Sequence, residues 1–374
     1  MPKVATESRR FAVSKASQAD YQTATPPGAG AAPPASSAPF LKMLCAPGDE
    51  ALADYSVITQ DDKGASTGTD FGTDQILVSH DVSVPRKLRL SSYWLGWINF
   101  FLFGQVTTIN GPGGSTNAKK HTYTPIDKRT NMQLPAFTYV EEADPSVYKV
   151  LYPGCVIEQA TFRGGGGAGR LTFLECDLVF RGSGKRDTTT TVNFSHASQQ
   201  HVFEPTGLQQ FLNTQNTMTI TDGVTPIAIG CDYLEFELNY RNNLLAEEGY
   251  LPGCSLYQTA NTPTSGVIRS ECLIGNREVD LRYKAYLTAS NAHYLPALQD
   301  QRPLVVESLF QGATLAGGTD KHSAYWKAFL TKYATAKPQF ENGLLVVDIT
   351  PKVLQDASGN VLQSYVINDT ASYS

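Results

Sequence analysis

Charge is scarce in this 374-residue chain: Asp, Glu, Lys and Arg make up 17% of it, against about 25% in average globular proteins. The formal net charge is −5, which excludes a globally basic binder that works by neutralising phosphates. Sparse charge implies surface buried against other chains, or covered by Ser, Thr, Asn and Gln. Long hydrophobic runs are missing too. The most apolar stretch, Tyr93 to Gly104, is well short of the ~20 residues of a membrane helix. It reads as a buried helix or packing plug, with a surface that inserts into a partner as the sharper alternative. The opening Met1-Pro2-Lys3-Val4-Ala5-Thr6 has no apolar signal core, so no secretory signal is expected. Cysteine is present without a pattern. Cys45, Cys155, Cys176, Cys231, Cys254 and Cys272 form no CxxC, and none stands at zinc-ligand spacing from a histidine. Reduced, buried thiols made in a cytoplasm are expected.

Catalytic patterns are equally thin. His80, His121, His196, His201, His293 and His322 form neither HxxxH nor HExxH, and His196 with His201 reads as a surface pair. No GxSxG elbow appears. Glu247-Glu248 and Asp61-Asp62 lie in apparent loops, where charge is usually solvated. The glycine run from Arg163 to Arg170 is no phosphate loop. A P-loop needs GxxxxGK[ST] between a strand and a helix, but both flanks here are strand-like. Gly184-Lys185 is followed by Arg186, and Val179 stands where the first glycine belongs. The run reads as a flexible hairpin tip. No catalytic residue, metal or cofactor is expected, and the chain reads as a non-enzyme.

What is present favours strands and turns: 31 Gly, 21 Pro, 18 Tyr and 17 Phe. Residues 1–45 read as an extended arm, free or laid on a neighbour, because Thr25 to Ala35 is too rich in Pro and Gly for a helix or central strand. Residues 46–182 read as a first β-rich domain. It holds a strand from Val78 to Leu90 interrupted at Pro85, hence at an edge or bulge, and the apolar helix. A strand at Phe137 to Val140, a turn at Glu141 to Pro145, and strands at Val147–Tyr152, Val156–Phe162 and Leu171–Phe180 follow. Residues 183–230, rich in Thr and Gln, read as a polar connector. Residues 231–374 read as a second β-rich domain. Leu234, Phe236 and Leu238 alternate with Tyr233, Glu235, Glu237 and Asn239 at period 2, and Glu278 to Leu287 does the same. A short helix is expected at Asn291–Gln301 and strands at Leu304–Phe310, Leu344–Ile349 and Val361–Ile367. Tyr325–Tyr333 is open between strand and helix. The last two strands flank a hairpin turn at Gln355–Asn360. The order strand, short helix, strand, terminal strand occurs in both sections and suggests an internal duplication.

Several of these segments fall in an order that resembles one family of phage tail tube proteins, the major tail tube subunits of long-tailed bacteriophages. Phe11-Ala12-Val13-Ser14-Lys15 and Asp20-Tyr21-Gln22-Thr23-Ala24 resemble its opening, with Gln22 in place of the usual Gly. Trp94 to Gly104, Tyr123-Thr124-Pro125, Phe137 to Val140 and Gly154-Cys155-Val156-Ile157 follow, with a hairpin ending at Gly182. Asn242-Asn243, Gly275-Asn276-Arg277 and Gly343 to Asp348 continue the order, so it covers roughly residues 10–370. The resemblance implies a mainly β fold: a tail-tube β-sandwich or barrel with short flanking helices, assembling into stacked rings.

That family would make the chain a structural virion protein forming the channel for genome DNA. Another assembling virion β-protein, a tail terminator or adhesin, is the alternative. The implied partners are further copies of the chain, in hexameric or trimeric pseudo-hexameric rings. DNA and a tape-measure protein would pass through the lumen, tail terminator and distal tail proteins would join the ends, and no membrane is involved. The protein would be made in the host cytoplasm and end in the virion, in a tail of non-contractile type. A lumen must let phosphate slide, so acids on alternating strands are the candidates: Glu235, Glu237, Asp280, Glu175 and Asp177, with Glu278 beside them. Alternation gives the face and not its direction, so lumen and outer surface stay open for each. Arg282 and Lys284 share a face with Asp280 and weaken a purely acidic wall. Candidate inter-ring contacts are Pro26, Pro27, Pro33 and Pro34 in the arm, and Gly165 and Gly166 at the glycine-rich tip.

Overall fold

The structure, a computed structural model, describes residues 10–18, 21, 39–43, 52–60, 74–144, 148–165, 173–183, 200–201, 210–222, 225–229, 233–245, 256–259, 262–267, 271–288, 292 and 294–373. It is mainly β. The strands begin with β1 (Arg10–Ser14), β2 (Phe40–Met43), β3 (Leu52–Gln60), β4 (Asp74–Arg89), β5 (Gly104–Asn110), β6 (Lys119–Pro125) and β7 (Phe137–Asp144). Next come β8 (Tyr148–Gly165), β9 (Glu175–Gly182), β10 (Gln200–His201), β11 (Asn216–Asp222), β12 (Thr225–Ala228) and β13 (Tyr233–Arg241). The chain ends with β14 (Leu256–Thr259), β15 (Thr262–Val267), β16 (Glu278–Tyr286), β17 (Leu304–Thr314), β18 (Lys321–Glu341), β19 (Leu344–Leu354) and β20 (Leu362–Asn368). Two helices, α1 (Ser92–Phe103) and α2 (Tyr294–Gln299), each follow a strand and precede another.

Apart from the β14–β15 hairpin, the described strands join one hydrogen-bonded network. The period-2 pattern decides its faces. In β13, Phe236, Leu238 and Tyr240 are buried while the residues between them are not. Antiparallel pairing runs β3–β4–β9–β8–β13–β16–β19–β18. At β18 the network branches, to β17 and β11 on one side and to β20, β6 and β5 on the other. The sections 46–182 and 231–374 are therefore bonded to each other at β8–β13 and β6–β20.

Helix α1 is apolar all round, which marks a buried helix. Leu95, Trp97, Ile98, Phe101, Leu102 and Phe103 are fully buried. At ~1.5–3 kcal/mol for each large side chain removed from water, these contacts outweigh the helix's own propensity. Trp97 meets Phe137 edge-on at 4.8 Å, and Phe103 meets Tyr240 at 4.9 Å. Ser91 caps the start by accepting from the Trp94 amide at 3.3 Å. Gly104 ends the helix at φ 80°, a left-handed conformation that costs glycine little.

Several sequence expectations change. β1 and β2 are not a free arm: they pair with each other, β1 pairs with β7, and Phe11, Ala12 and Val13 are buried. The prolines of that segment lie outside the described residues. Glu141 and Glu142 sit buried inside β7 rather than in a turn. The strands expected at 147–152 and 156–162 are one, β8, carried through Gly154 at φ 67°. Leu171 lies outside the described residues, and β9 starts at Glu175. The stretch read as a polar connector supplies β11, which bonds to β17 along its whole length. Its Met218 and Ile220 are buried, an alternation masked by flanking threonines. Tyr325–Tyr333 lies within β18, and α2 falls inside the expected helical stretch.

One charged pair lies wholly inside. Arg86 occupies the apolar phase of β4, between Val84 and Leu88, and neither its side chain nor that of Glu141 has any exposure. Its Nη2 reaches Glu141 Oε2 at 3.3 Å, Nε donates to the Tyr139 hydroxyl at 3.1 Å, and Nη1 donates to the Pro85 carbonyl at 2.7 Å. The guanidinium also stacks over the Phe11 ring at 4.4 Å. This cluster ties β1, β4 and β7. Removing one buried partner typically costs ~3–5 kcal/mol, whereas an apolar replacement of both is often neutral. Glu141→Ala should therefore lower the urea-unfolding free energy by about 3–5 kcal/mol, and Arg86→Met/Glu141→Leu should restore most of it. A loss below about 1 kcal/mol for the single variant would contradict this role.

The C-terminal residues fold back onto β6. His121 Nε2 donates to the Thr370 carbonyl at 3.0 Å, so Nδ1 accepts from the Thr108 hydroxyl at 2.8 Å. Burial lowers its pKa to about 4 and lowers that of His322 as well. The unfolded chain then takes up these protons first. Stability is full above the unfolded histidine value of about 6.5 and falls as pH drops towards 4. His121→Gln should flatten that slope in pH-dependent unfolding, and an unchanged slope would contradict the assignment.

Candidate functional site

The seam formed by β4, β9, β8, β13, β16, β19 and β18 carries one polar face. The residues that alternate with the core point there, and antiparallel register sets them side by side. Lys87 stands opposite Asp177, Arg163 opposite Glu175 and Glu237, and Asn239 opposite Thr161 and Asp280. Glu237 also stands opposite Arg282, and Lys284 opposite Glu235 and Asp348.

Ion pairs cross each strand boundary of this face from β4 to β19. Lys87 Nζ meets Glu175 Oε2 at 2.8 Å, and this hydrogen bond raises the lysine pKa. Arg163 bridges two strands, binding Asp177 on β9 and Glu237 Oε2 on β13 at 3.2 Å. Arg241 pairs with Asp280 and, at 3.4 Å, with Glu278. Arg282 grips Asp348 with two parallel bonds of 2.9 and 2.6 Å, which raise its pKa. Lys284 reaches across to Glu341. Between the charged rows, Gln159 and Thr161 both donate to Asn239 Oδ1 at 3.0 Å.

The structure therefore brings Glu175, Asp177, Glu235, Glu237 and Asp280 onto one face, with Glu278. Four of the five acids are held by Lys87, Arg163 or Arg241. Glu235 has no ion pair among the described residues and lies in register with Lys284 and Gly165. Sequence reasoning missed Lys87, Arg163, Arg241 and Asp348, although each falls in the polar phase of its strand. Gly165 ends β8 beside β13, and Gly166, Pro26, Pro27, Pro33 and Pro34 lie outside the described residues.

This surface is a mosaic. Lys87, Arg163, Arg241, Arg282 and Lys284 are each committed to a carboxylate, while Lys332 and Lys352 stand opposite each other at the β18–β19 end of the face. Among the described residues no group of three or more His, Cys, Asp or Glu side chains is placed to hold a metal. Cys155, Cys176 and Cys272 are buried thiols, and burial raises the pKa of Cys155 and Cys176. Neither Cys155 nor Cys176 is therefore an activated nucleophile. No helix of the described residues is long and apolar enough to cross a membrane.

The pairs are half-exposed, so each is worth little alone, ~0–1 kcal/mol. Arg163→Met should cost no more than about 1 kcal/mol in chemical denaturation. It should also shift the protein's electrophoretic mobility towards the anode, since Asp177 and Glu237 lose their shared cation. A loss of several kcal/mol would mean the ladder holds the fold together instead.

Comparison with known proteins gives one strong match. The sequence profile of a family described as phage tail tube protein matches residues 12–338. A search of curated proteins finds no match. Among solved structures, the chain overlaps a double-tryptophan variant of the Hcp1 protein from E. coli EAEC 042 at 13% identity. That overlap covers 40% of this chain and 96% of the other, with a TM-score of 0.23. A crystal structure titled Hcp protein overlaps at 8% identity over 56% of this chain and 96% of that one, with a TM-score of 0.19. Similarity that low leaves the assignment to the sequence match.

Proposed function

The chain belongs to the phage tail tube protein family, a structural component of the virion, and from that premise we propose that it is the major tail tube subunit of a long, non-contractile tail. Copies close into rings, the rings stack, and the channel they enclose carries genome DNA into the host. The family match over residues 12–338 carries the reading. The sheet network is compatible with it, because pairing with a neighbouring chain is one way to satisfy exposed strand edges.

The charge-balanced face is our proposed lumen wall. DNA presents dense negative charge, which a net basic wall would retain. A wall on which acids and bases are interleaved, and most bases are held by a carboxylate, offers phosphate a weaker grip than a basic wall and a lower barrier than an acidic one. Such a mosaic serves sliding as well as the acidic wall that sequence alone suggests.

The order strand, helix, strand, strand occurs twice, as β4–α1–β5–β6 and as β16–α2–β17–β18. This supports two tandem tube units per chain, 46–182 and 231–374, and hence three chains in a pseudo-hexameric ring rather than six. The tape-measure protein and DNA occupy the lumen in turn, and tail terminator and distal proteins meet the ends. The glycine-rich tip, with Gly165 and Gly166, and the arm prolines Pro26, Pro27, Pro33 and Pro34 are proposed to reach the next ring.

Electron microscopy of the concentrated protein tests this directly. Stacked rings are expected, with three chains per ring in class averages. Short closed particles that never stack would favour a terminator, and the tube reading would fall. Within phage, Glu235→Lys/Glu237→Lys should spare assembly and slow DNA ejection, because it converts two lumen acids into free cations beside Arg163. Ejection at the unmodified rate would contradict the lumen placement.

A further inference from the structure

A cavity of about 870 Å³ opens where the segment after β6, the start of β16 and the turn between β19 and β20 meet. Its size is that of a small-molecule site, ~300–1,000 Å³. Half-buried apolar side chains line it, among them Ile126, Phe329, Leu354 and Val361.

Two polar side chains of the lining are unsatisfied. Arg277 Nη1 donates to the Ile126 carbonyl at 2.6 Å. Its Nε and Nη2 are buried without a hydrogen-bond partner among the described residues. So is the Tyr240 hydroxyl, on a side chain only 1% exposed. Burial raises the Tyr240 pKa, against the opposing charge of nearby Arg277, so the hydroxyl keeps its proton. Three donors thus stand together, and a buried donor left unpaired is costly.

The charges around them are unequal. Asp127 lies near Arg277, but Arg129 already binds both of its oxygens. Glu278 and Asp280 are held by Arg241. The cations are less committed. Lys128 Nζ donates to the Gly275 carbonyl at 2.6 Å. Lys352 is exposed and stands opposite Asp280 and Lys332. Arg277, Lys128 and Lys352 form no ion pair among the described residues.

We propose that this cavity binds a small organic carboxylate with an apolar body. The Nε–Nη2 edge of a guanidinium matches the two oxygens of a carboxylate, and the Tyr240 hydroxyl supplies a third bond. None of these three atoms is open to solvent, so the half-buried Arg277 side chain turns into the cavity to engage the ligand. Lys128 and Lys352 add attraction, and the apolar walls take the body. Phosphate suits the site less well. Its second charge meets Asp127, Glu278 and Asp280, and it has nothing to place on the walls. The inference does not rest on the tail-tube reading, and either can fail alone.

Isothermal titration of the full chain with 4-phenylbutyrate tests it. Saturable binding is expected, at least tenfold tighter than that of 4-phenylbutanol, acetate or inorganic phosphate. Arg277→Gln should weaken it at least tenfold, and Lys352→Gln should weaken it a few-fold and reduce its salt dependence. Tyr240→Phe should weaken binding severalfold without lowering stability, because the hydroxyl it removes has no partner. If circular dichroism shows that Arg277→Gln does not fold, the other two variants decide. No saturable binding up to about 10 mM 4-phenylbutyrate would overturn the proposal. So would equal binding of 4-phenylbutanol or phosphate, or unchanged binding in the folded variants.

Discussion

Main-chain pairing along β8 is the constraint on which the rest of this molecule depends. Its early residues bond β7, and from Val156 onward it bonds β9 on one edge while Gln159 to Gly165 bond β13 on the other. Every buried amide and carbonyl needs a partner, so this seam fixes how the N-terminal and C-terminal strands lie together. The aromatic core follows from it: Phe162 of β8 and Phe236 of β13 both pack on Trp326 of β18, at 5.2 and 5.9 Å. Helix α1 then closes over the adjoining apolar side.

The charged face is a product of the same register. Arg163 reaches Asp177 and Glu237 because β8 lies between β9 and β13. A one-residue slip would turn Arg163 inward and bring Phe162 to the surface. Packing on one side and charge balance on the other are therefore one choice of register. The Arg86–Glu141 pair is the exception, two charges on the apolar side, and it is tolerated because Tyr139, Pro85 and Phe11 complete its surroundings.

Much of this was legible in the sequence. The alternation at Tyr233–Tyr240 gave strand and faces, and the apolar run with Ser91 and Gly104 at its ends gave the helix. Pro85 reads as marking an edge or a bulge, and it lies in the part of β4 that bonds β9 alone. Long-range compensation was not legible. Glu141-Glu142-Ala143-Asp144-Pro145 reads locally as a turn, because the arginine that buries Glu141 lies 55 residues away. β11 hid among polar residues for the same reason, since its apolar partners sit on β17. The acids of the candidate face were identified by phase, whereas their cations became visible only once strand order was known. That order is a property of pairing and not of any single segment.

A helical reconstruction of the assembled tube tests the central claim most directly. The account predicts that the face bearing Lys87, Arg163, Glu237, Arg241 and Arg282 turns towards the tube axis, with its ion pairs intact. A reconstruction with that face on the outer wall, and another surface lining the channel, would contradict it.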